Sequence, residues 1–320
     1  MRALVYDTYG IPDVVLALHD DVTVQQPRKG EVRLRVMASS INRGDYYFIT
    51  GFPRMFRPAY GWPRPRSPVP GRDVAGIVDA VGDGVSDVAV GDAVVGELEG
   101  GGYGEFAIAP AHRLVKKPDG VSFEDAACLP LAGGAALQCL QAGNVVEGSR
   151  VVVNGASGNV GTFAVSIAKL LGAHVTAVCS TRNVDQAAAL GADVVVDYTK
   201  QSVLDVVEPA SSDVFVDIAG NHPISACRAL LRKDGTFVSS SSQLGRLLRV
   251  LFTFGRPKAK VVAAMPNADD LRQLLQWVDG GKLKPAVETV VTLEELPAAL
   301  TTHGAGHSRA KTVVRVSDYD

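Results

Sequence analysis

The stretch Val151-Val-Val-Asn-Gly-Ala-Ser-Gly-Asn-Val-Gly161 decides the fold. Arg150 to Asn154 predicts a buried strand, and the apolar periodicity over 158–171 predicts a helix. No spacer separates them except a glycine-rich turn. Strand, glycine turn and helix in that order suit a dinucleotide. Gly158 lets the backbone approach a pyrophosphate, Gly161 lets the helix pack close to the sheet, and the helix start offers free N–H groups to the anion. Gly155, Ala156, Ser157, Gly158, Asn159, Val160 and Gly161 are therefore the expected phosphate contacts. Ala156 departs from the usual G-x-G-x-x-G pattern, which has its first glycine there. Asn159 excludes a nucleophile elbow, because G-x-S-x-G needs glycine at that position.

The next strand, His174–Cys179, bears on which dinucleotide is held. An NAD site places an acid about 20 residues downstream of the glycine turn, on the ribose 2′-hydroxyl. No acid lies between Ala173 and Val184, and the chain reads Cys179-Ser-Thr-Arg-Asn183 instead. Ser180, Thr181 and Arg182 offer hydroxyls and a guanidinium to a 2′-phosphate. The expected cofactor is NADPH.

Outward from this core the chain has two rhythms. Val194–Asp197, Val214–Asp217, Thr236–Ser239 and Lys260–Ala264 continue a series of apolar strands alternating with helices, which specifies a doubly wound parallel sheet. From Met1 to about Lys117, short alternating runs such as Glu31–Met37 and Asp73–Val81 are broken by Gly and Pro. That spacing predicts a small β-barrel, so the fold class is α/β with a barrel domain beside a Rossmann domain. Ser122-Phe-Glu-Asp125 predicts a capped helix start. The tail predicts a helix over Leu271–Val278 and a last strand over Lys311–Val316.

Composition narrows the class. The 320 residues are 47% hydrophobic and 21% charged, which excludes a disordered chain. With 34 acidic and 32 basic residues the net charge of -2 gives no reason to expect nucleic acid or an anionic membrane. The uncharged run Ala126–Val146 is interrupted by Pro130, Gly133, Gly134, Gln138, Gln141 and Asn144, so it predicts a buried helix with an entry turn. The start, MRALVYDTYG, has no signal-peptide pattern, and Cys128, Cys139, Cys179 and Cys227 form no C-x-x-C pair. The expectation is a cytoplasmic protein with reduced core thiols. Gly51 to Gly71 sets Phe52, Phe56, Tyr60 and Trp62 among Arg54, Arg57, Arg64, Arg66 and several prolines. It is either a rigid surface excursion or a wall over a ligand site.

Further segments carry a family likeness: Tyr9-Gly-Ile-Pro-Asp-Val, Ser40-Ile-Asn-Arg-Gly-Asp45, Val69-Pro-Gly-Arg-Asp-Val-Ala-Gly-Ile-Val78, Leu129-Pro-Leu-Ala-Gly133, Leu190-Gly-Ala-Asp193 and Arg309-Ala-Lys-Thr-Val313. In order and spacing the chain resembles the zinc-free quinone oxidoreductase branch of the medium-chain dehydrogenase/reductase superfamily. The resemblance implies a GroES-like barrel over 1–122 and 266–320 and an inserted Rossmann domain over 123–265. It implies that Asn42 and Tyr47 face nicotinamide and substrate, while Asp45 ties down the turn. Tyr198, Ala219 and Lys311 are implied as further cofactor contacts, and Ala135 replaces a frequent threonine.

Zinc-dependent relatives carry a cysteine within Ser39–Asn42, a Gly-His-Glu at Gly71-Arg72-Asp73 and a third ligand near Leu131. None of those thiolate or imidazole ligands is present, and the four-cysteine lobe after Asp92 is missing, so no metal is expected. His303 and His307 flank glycines and are not expected to bind one. The expected activity is NADPH-dependent reduction of a quinone, enone or enal. The alternatives are a zinc-free carbonyl reductase or alcohol dehydrogenase, and an NADPH-binding protein without turnover. Pocket walls are expected from 51–71 and 243–257, and a homodimer through the sheet edge at Lys260–Ala264.

Overall fold

A computed structural model of the chain describes residues 1–240, 245, 249–250, 255, 257–306 and 309–317. It divides into two units, Met1–Leu131 with Pro266–Asp320, and Ala132–Met265. The expected pocket wall over 243–257 lies mostly outside the described residues, as does His307.

The first unit begins with β1 (Ala3–Val5) paired antiparallel to β2 (Ala17–His19). It continues through β3 (Glu31–Ser40), β4 (Asp73–Val81), β5 (Ala93–Glu97), β6 (Phe106–Pro110) and β7 (Leu114–Lys116). Alternation in β3 sends Val32, Leu34 and Val36 inward, where they pack with Val74, Val94 and Leu98. The second unit holds β8 (Arg150–Asn154), β9 (His174–Cys179), β10 (Val194–Asp197), β11 (Ser212–Asp217), β12 (Leu231–Ser239) and β13 (Lys258–Val261). All six pair in parallel, in the order β10-β9-β8-β11-β12-β13. Phe215 and Phe237 stack at 5.8 Å inside this unit. The chain then returns to the first unit with β14 (Val287–Val291) and β15 (Lys311–Arg315). Its larger sheet runs β14-β15-β3-β4-β5-β7, and β6 pairs with β3.

Helix Phe123–Ala127 corrects one expected boundary. The Ser122 hydroxyl accepts the Asp125 N–H at 3.0 Å, as its capping pattern predicts. The helix packs on β3, β4 and β15 of the first unit, and Glu124 pairs with Arg315. Residues 123–131 therefore group with the barrel. The uncharged run beyond them forms a π-helical turn at Leu129–Gly133 and a largely buried helix, Gly134–Ala142, which carries Ala135. Cys128, Cys139, Cys179 and Cys227 are buried free thiols.

Helix Asn159–Leu170 enters from the glycine turn, and its position depends on Gly161. A β-carbon there would stand 2.0 Å from the Gly155 carbonyl oxygen and 2.8 Å from Ala156 backbone atoms. Gly161→Ala should cost about 1–3 kcal/mol as overpacking, or more if the helix cannot shift. Urea unfolding of the variant measures the loss, and an unchanged midpoint would contradict this packing.

Candidate functional site

In the second unit, strand order reverses direction between β8 and β11, and open parallel sheets bind ligands beyond the strand C-termini at such a point. The glycine turn sits there. Gly155 takes the left-handed conformation, with φ 96°, and a β-carbon on it would meet the Ala219 N at 3.1 Å. The strained position thus falls one residue before Ala156, whose methyl is buried with ordinary backbone, so alanine is tolerated there. At Gly158 a β-carbon would meet nothing nearer than the Gly155 O at 3.9 Å. The fold itself does not need that space. Gly158 is also the extended N-cap of the helix, whose first turn carries no acid, so the open position faces a positive dipole end. These residues fit a dinucleotide pyrophosphate.

Sequence reasoning missed the frame beneath the turn. The Asn154 side-chain amide donates to Asp217 and to Asn221, each at 2.8 Å, and joins the ends of β8 and β11. Asp217 also accepts the Gly220 N–H at 3.1 Å. The Ala219 N–H bonds the Asn154 carbonyl at 3.2 Å, so Ala219 backs the turn.

At the end of β9, Thr181 and Arg182 are exposed and the Ser180 hydroxyl accepts the Asn183 amide at 3.1 Å. A second omission lies beside them. Parallel register pairs Asp197 with Cys179, bringing an acid from β10 to the same sheet end. Asp197 accepts the Thr181 hydroxyl at 2.7 Å, the Thr199 hydroxyl at 2.7 Å and the Thr199 N–H at 3.0 Å. Lys200 pairs with it at 3.4 Å. The Thr181 bond, with further help from Thr199 and Lys200, pulls its carboxyl down to about 2. Its charge is spent on these donors. Tyr198 follows with an exposed ring, its N–H held by the Cys179 carbonyl at 3.0 Å.

In the first unit, a buried polar centre collects the three segments that supply zinc ligands in zinc-dependent relatives. Asp73 is 0% exposed. One of its oxygens accepts the Ser40 hydroxyl at 2.9 Å and the Asn42 amide at 2.8 Å, and the other accepts the Leu131 N–H at 3.1 Å. Lys311, also 0% exposed, directs its ammonium at Asn42 Oδ1 at 2.8 Å, the Ile41 carbonyl at 3.3 Å and Asp73 at 3.4 Å. Lys311, implied by the resemblance as a cofactor contact, is engaged with oxygens of its own unit. It lies within the barrel, and three oxygens account for its three donors. Zinc does not fit this donor set. Asp73 is the only ligand-type side chain at those positions, and its oxygens already accept hydrogen bonds from Ser40, Asn42, Leu131 and Lys311. Among the described residues no group of three His, Cys, Asp or Glu could hold a metal.

Asn42 is 1% exposed, and with Oδ1 on Lys311 and one N–H on Asp73 it keeps a single amide proton. Its backbone N–H donates to Asp45 at 2.8 Å, so Asp45 does tie down the turn into helix Arg43–Thr50. Burial, then the nearby Asp73 charge, pushes the Asp45 carboxyl up to about 6. Burial likewise pushes Glu97, the partner of Arg72, up to about 7. Tyr47 lies half-buried on that helix, and its hydroxyl accepts Arg43 Nε at 3.0 Å. The spacing of four between Arg43 and Tyr47 is the helical signal that locates this pair. A cavity of about 700 Å³ opens within the same unit. Asp45, Phe48, Tyr60 and Arg72 line it, and residues 66–71 form one wall, so the excursion after Gly51 does bound a cavity. His303 is buried in helix Leu296–Gly304, and desolvation pushes its imidazole down to about 4.

Comparison with known proteins agrees with both units. The family profile of the alcohol dehydrogenase GroES-like domain matches residues 28–119, and that of the zinc-binding dehydrogenase domain matches 190–314. The chain is 34% identical over 328 residues to the chloroplast envelope quinone oxidoreductase homolog of Arabidopsis thaliana, covering 98% of each. It is 32% identical to the NADPH-dependent alkenal/one oxidoreductase of the same plant, over 90% of this chain and 72% of that one. The structure of the quinone oxidoreductase from Coxiella burnetii superposes with a TM-score of 0.88 at 29% identity, covering 99% of each chain. The chain belongs to the medium-chain dehydrogenase/reductase superfamily, in its quinone oxidoreductase branch. It is an oxidoreductase of a nicotinamide-dependent family acting on a small molecule. No helix among the described residues is long and apolar enough to cross a membrane.

Removing one partner of a buried ion pair leaves the other charge uncompensated, at a cost of about 3–5 kcal/mol. Lys311→Met should lower unfolding stability by about that amount. Chemical denaturation checks it, and a loss below about 1 kcal/mol, the ceiling for an exposed pair, would show that Asp73 does not depend on Lys311.

Proposed function

We propose that this chain is an NADPH-dependent, zinc-independent reductase of a quinone or of a C=C bond conjugated to a carbonyl. One observation carries the reading: the Lys311 ammonium occupies the polar centre and has all three donors committed. A catalytic zinc keeps an open position that polarises a carbonyl oxygen. This ammonium has none to offer. Acceptors in which conjugation already makes a carbon electron-poor depend least on a Lewis acid for hydride transfer.

Residues of the glycine turn, Gly155 to Gly161, would hold the pyrophosphate, with Ala219 beneath and Tyr198 near the adenosine end. Ser180, Thr181 and Arg182 would hold the 2′-phosphate. Asp197 does not oppose this, because its charge is met by Thr181, Thr199 and Lys200. When bound, the reduced nicotinamide supplies a hydride. The chain's own task is to receive the negative charge that then develops on the substrate oxygen. Tyr47 would donate through its phenolic hydroxyl, and Arg43 donating to that oxygen makes it a better donor. Asn42 adds its remaining N–H, its amide fixed by Lys311 and Asp73. The relatives named as quinone and alkenal/one oxidoreductases support this acceptor class.

NADPH oxidation should proceed with a quinone and an enone in excess chelator, while a simple aldehyde turns over poorly. Activity that disappears on chelation and returns with zinc would refute the reading. Arg182→Ala should weaken NADPH binding about ten- to a hundredfold, since a charged hydrogen bond is worth roughly 1.5–3 kcal/mol. NADH binding should barely change. Titration of both cofactors decides it, and equal losses would remove Arg182 from 2′-phosphate recognition. Loss of one oxyanion donor lowers turnover by roughly 10² to 10³. Tyr47→Phe should therefore depress enone turnover while NADPH affinity stays within about twofold. Full turnover at saturating NADPH would assign the donation elsewhere.

A further inference from the structure

A net charge near zero conceals how charge is distributed. Between Tyr46 and Arg72 stand five arginines, at 54, 57, 64, 66 and 72, and no aspartate or glutamate. Arg72 pairs with Glu97, and Arg57 donates to the Gly51 carbonyl at 3.2 Å while lying over the Tyr9 ring. Arg54, Arg64 and Arg66 are exposed and form no ion pair among the described residues. With Met55, Pro58 and Trp62 they line a hollow of about 660 Å³. Two of its lining side chains are large, apolar and exposed, Trp62 at 70% and Met55 at 67%, and Phe52, 58% exposed, stands on the same segment.

The segment is a built feature. The Arg66 N–H bonds the Tyr60 carbonyl at 2.9 Å, and the Gly61 N–H bonds the Arg57 carbonyl at 2.8 Å. At Gly61, with φ 125°, a β-carbon would stand 2.3 Å from the Arg64 carbonyl oxygen, so the tight return needs glycine. The Tyr9 hydroxyl donates to the Gly61 carbonyl at 2.6 Å, and Tyr60 packs edge-on against Phe48 at 4.4 Å. Backbone and aromatic anchors hold the arginines and the tryptophan on one outward hollow.

Unpaired cations beside an exposed tryptophan, methionine and phenylalanine match a phosphate-bearing surface with an apolar layer just beneath it. Basic side chains are drawn to anionic headgroups, and tryptophan settles at the boundary between headgroup and hydrocarbon. A soluble phosphate would use the arginines and leave Trp62 and Met55 in water. We propose that this hollow docks the protein on an anionic lipid bilayer, arginines on headgroup phosphates and Trp62 and Met55 in the interfacial layer. The proposal does not depend on the reaction proposed above. It replaces the expectation, drawn from net charge alone, that no membrane is a partner.

The full chain should co-sediment with vesicles of phosphatidylglycerol and phosphatidylcholine at low salt. It should not do so with phosphatidylcholine alone, and high salt should release it. Combining Arg54→Gln, Arg64→Gln and Arg66→Gln should lower partitioning on the order of a hundredfold, about fivefold per arginine. Circular dichroism verifies that this variant folds. Anionic vesicles should shift tryptophan emission to the blue, and Trp62→Phe, which leaves only Trp277, should abolish the shift. The proposal is overturned if no vesicle binding occurs at low salt, or if the triple variant binds like the parent chain. It is also overturned if glycerol phosphate binds through these arginines while vesicles do not, which would make the hollow a soluble-phosphate site.

Discussion

An ammonium removed from water must be met by oxygen, and the barrel unit is organised around that requirement. Desolvating Lys311 and Asp73 costs several kcal/mol per ion before their attraction and hydrogen bonds offset it. The offset is assembled from distant chain: Lys311 from the last strand, Ile41 and Asn42 from the end of β3, and Asp73 from the start of β4. Leu131, just before the chain leaves the unit, adds its N–H. This cluster therefore ties the first half of the barrel to the strand that returns after the second unit is complete. Few apolar contacts in the core impose so narrow a register, since a shifted β15 would strand a charge in the interior.

The second unit rests on backbone proximity instead. Gly161 lets the helix touch the turn, Gly155 makes the turn possible, and Asn154 with Asp217 ties together the two strand ends where a ligand binds in this fold. Of the three glycines in the turn, Gly158 alone leaves room that no neighbour uses.

Much of this was legible in the chain, for physical reasons. Apolar runs bounded by turn residues mark β4, β8, β9 and β10 over their observed lengths, because in both kinds of sheet the local pattern and the burial agree. The glycine turn was legible because its spacing encodes steric need. Asp197 was not, because it neighbours Thr181 through parallel strand register and not through sequence distance. The oxygens around Lys311 were not legible for a related reason: only the closing of the barrel brings them to it. The helix Phe123–Ala127 went to the wrong unit because its cap reports where a helix begins and not what it packs against.

Charge shows the same gap between composition and placement. Acids and bases nearly cancel over 320 residues, yet the acids that flank the excursion in sequence, Asp45 and Asp73, are buried in the polar centre, and the exposed Glu99 beside it is paired with Arg113. The barrel thus separates its charges. Asp45, Asp73 and Glu97 are drawn inward, where Lys311, Arg72 and backbone N–H groups neutralise or hold them. The unpaired guanidiniums are left outside, on a segment without a single acid. Burial raises the Asp45 and Glu97 carboxyls toward neutrality, so less negative charge remains inside to reach outward. A surface potential opposite to the protein's net charge follows from that arrangement, and association is governed by local potential within about 10 Å at ordinary salt, not by the sum over the chain.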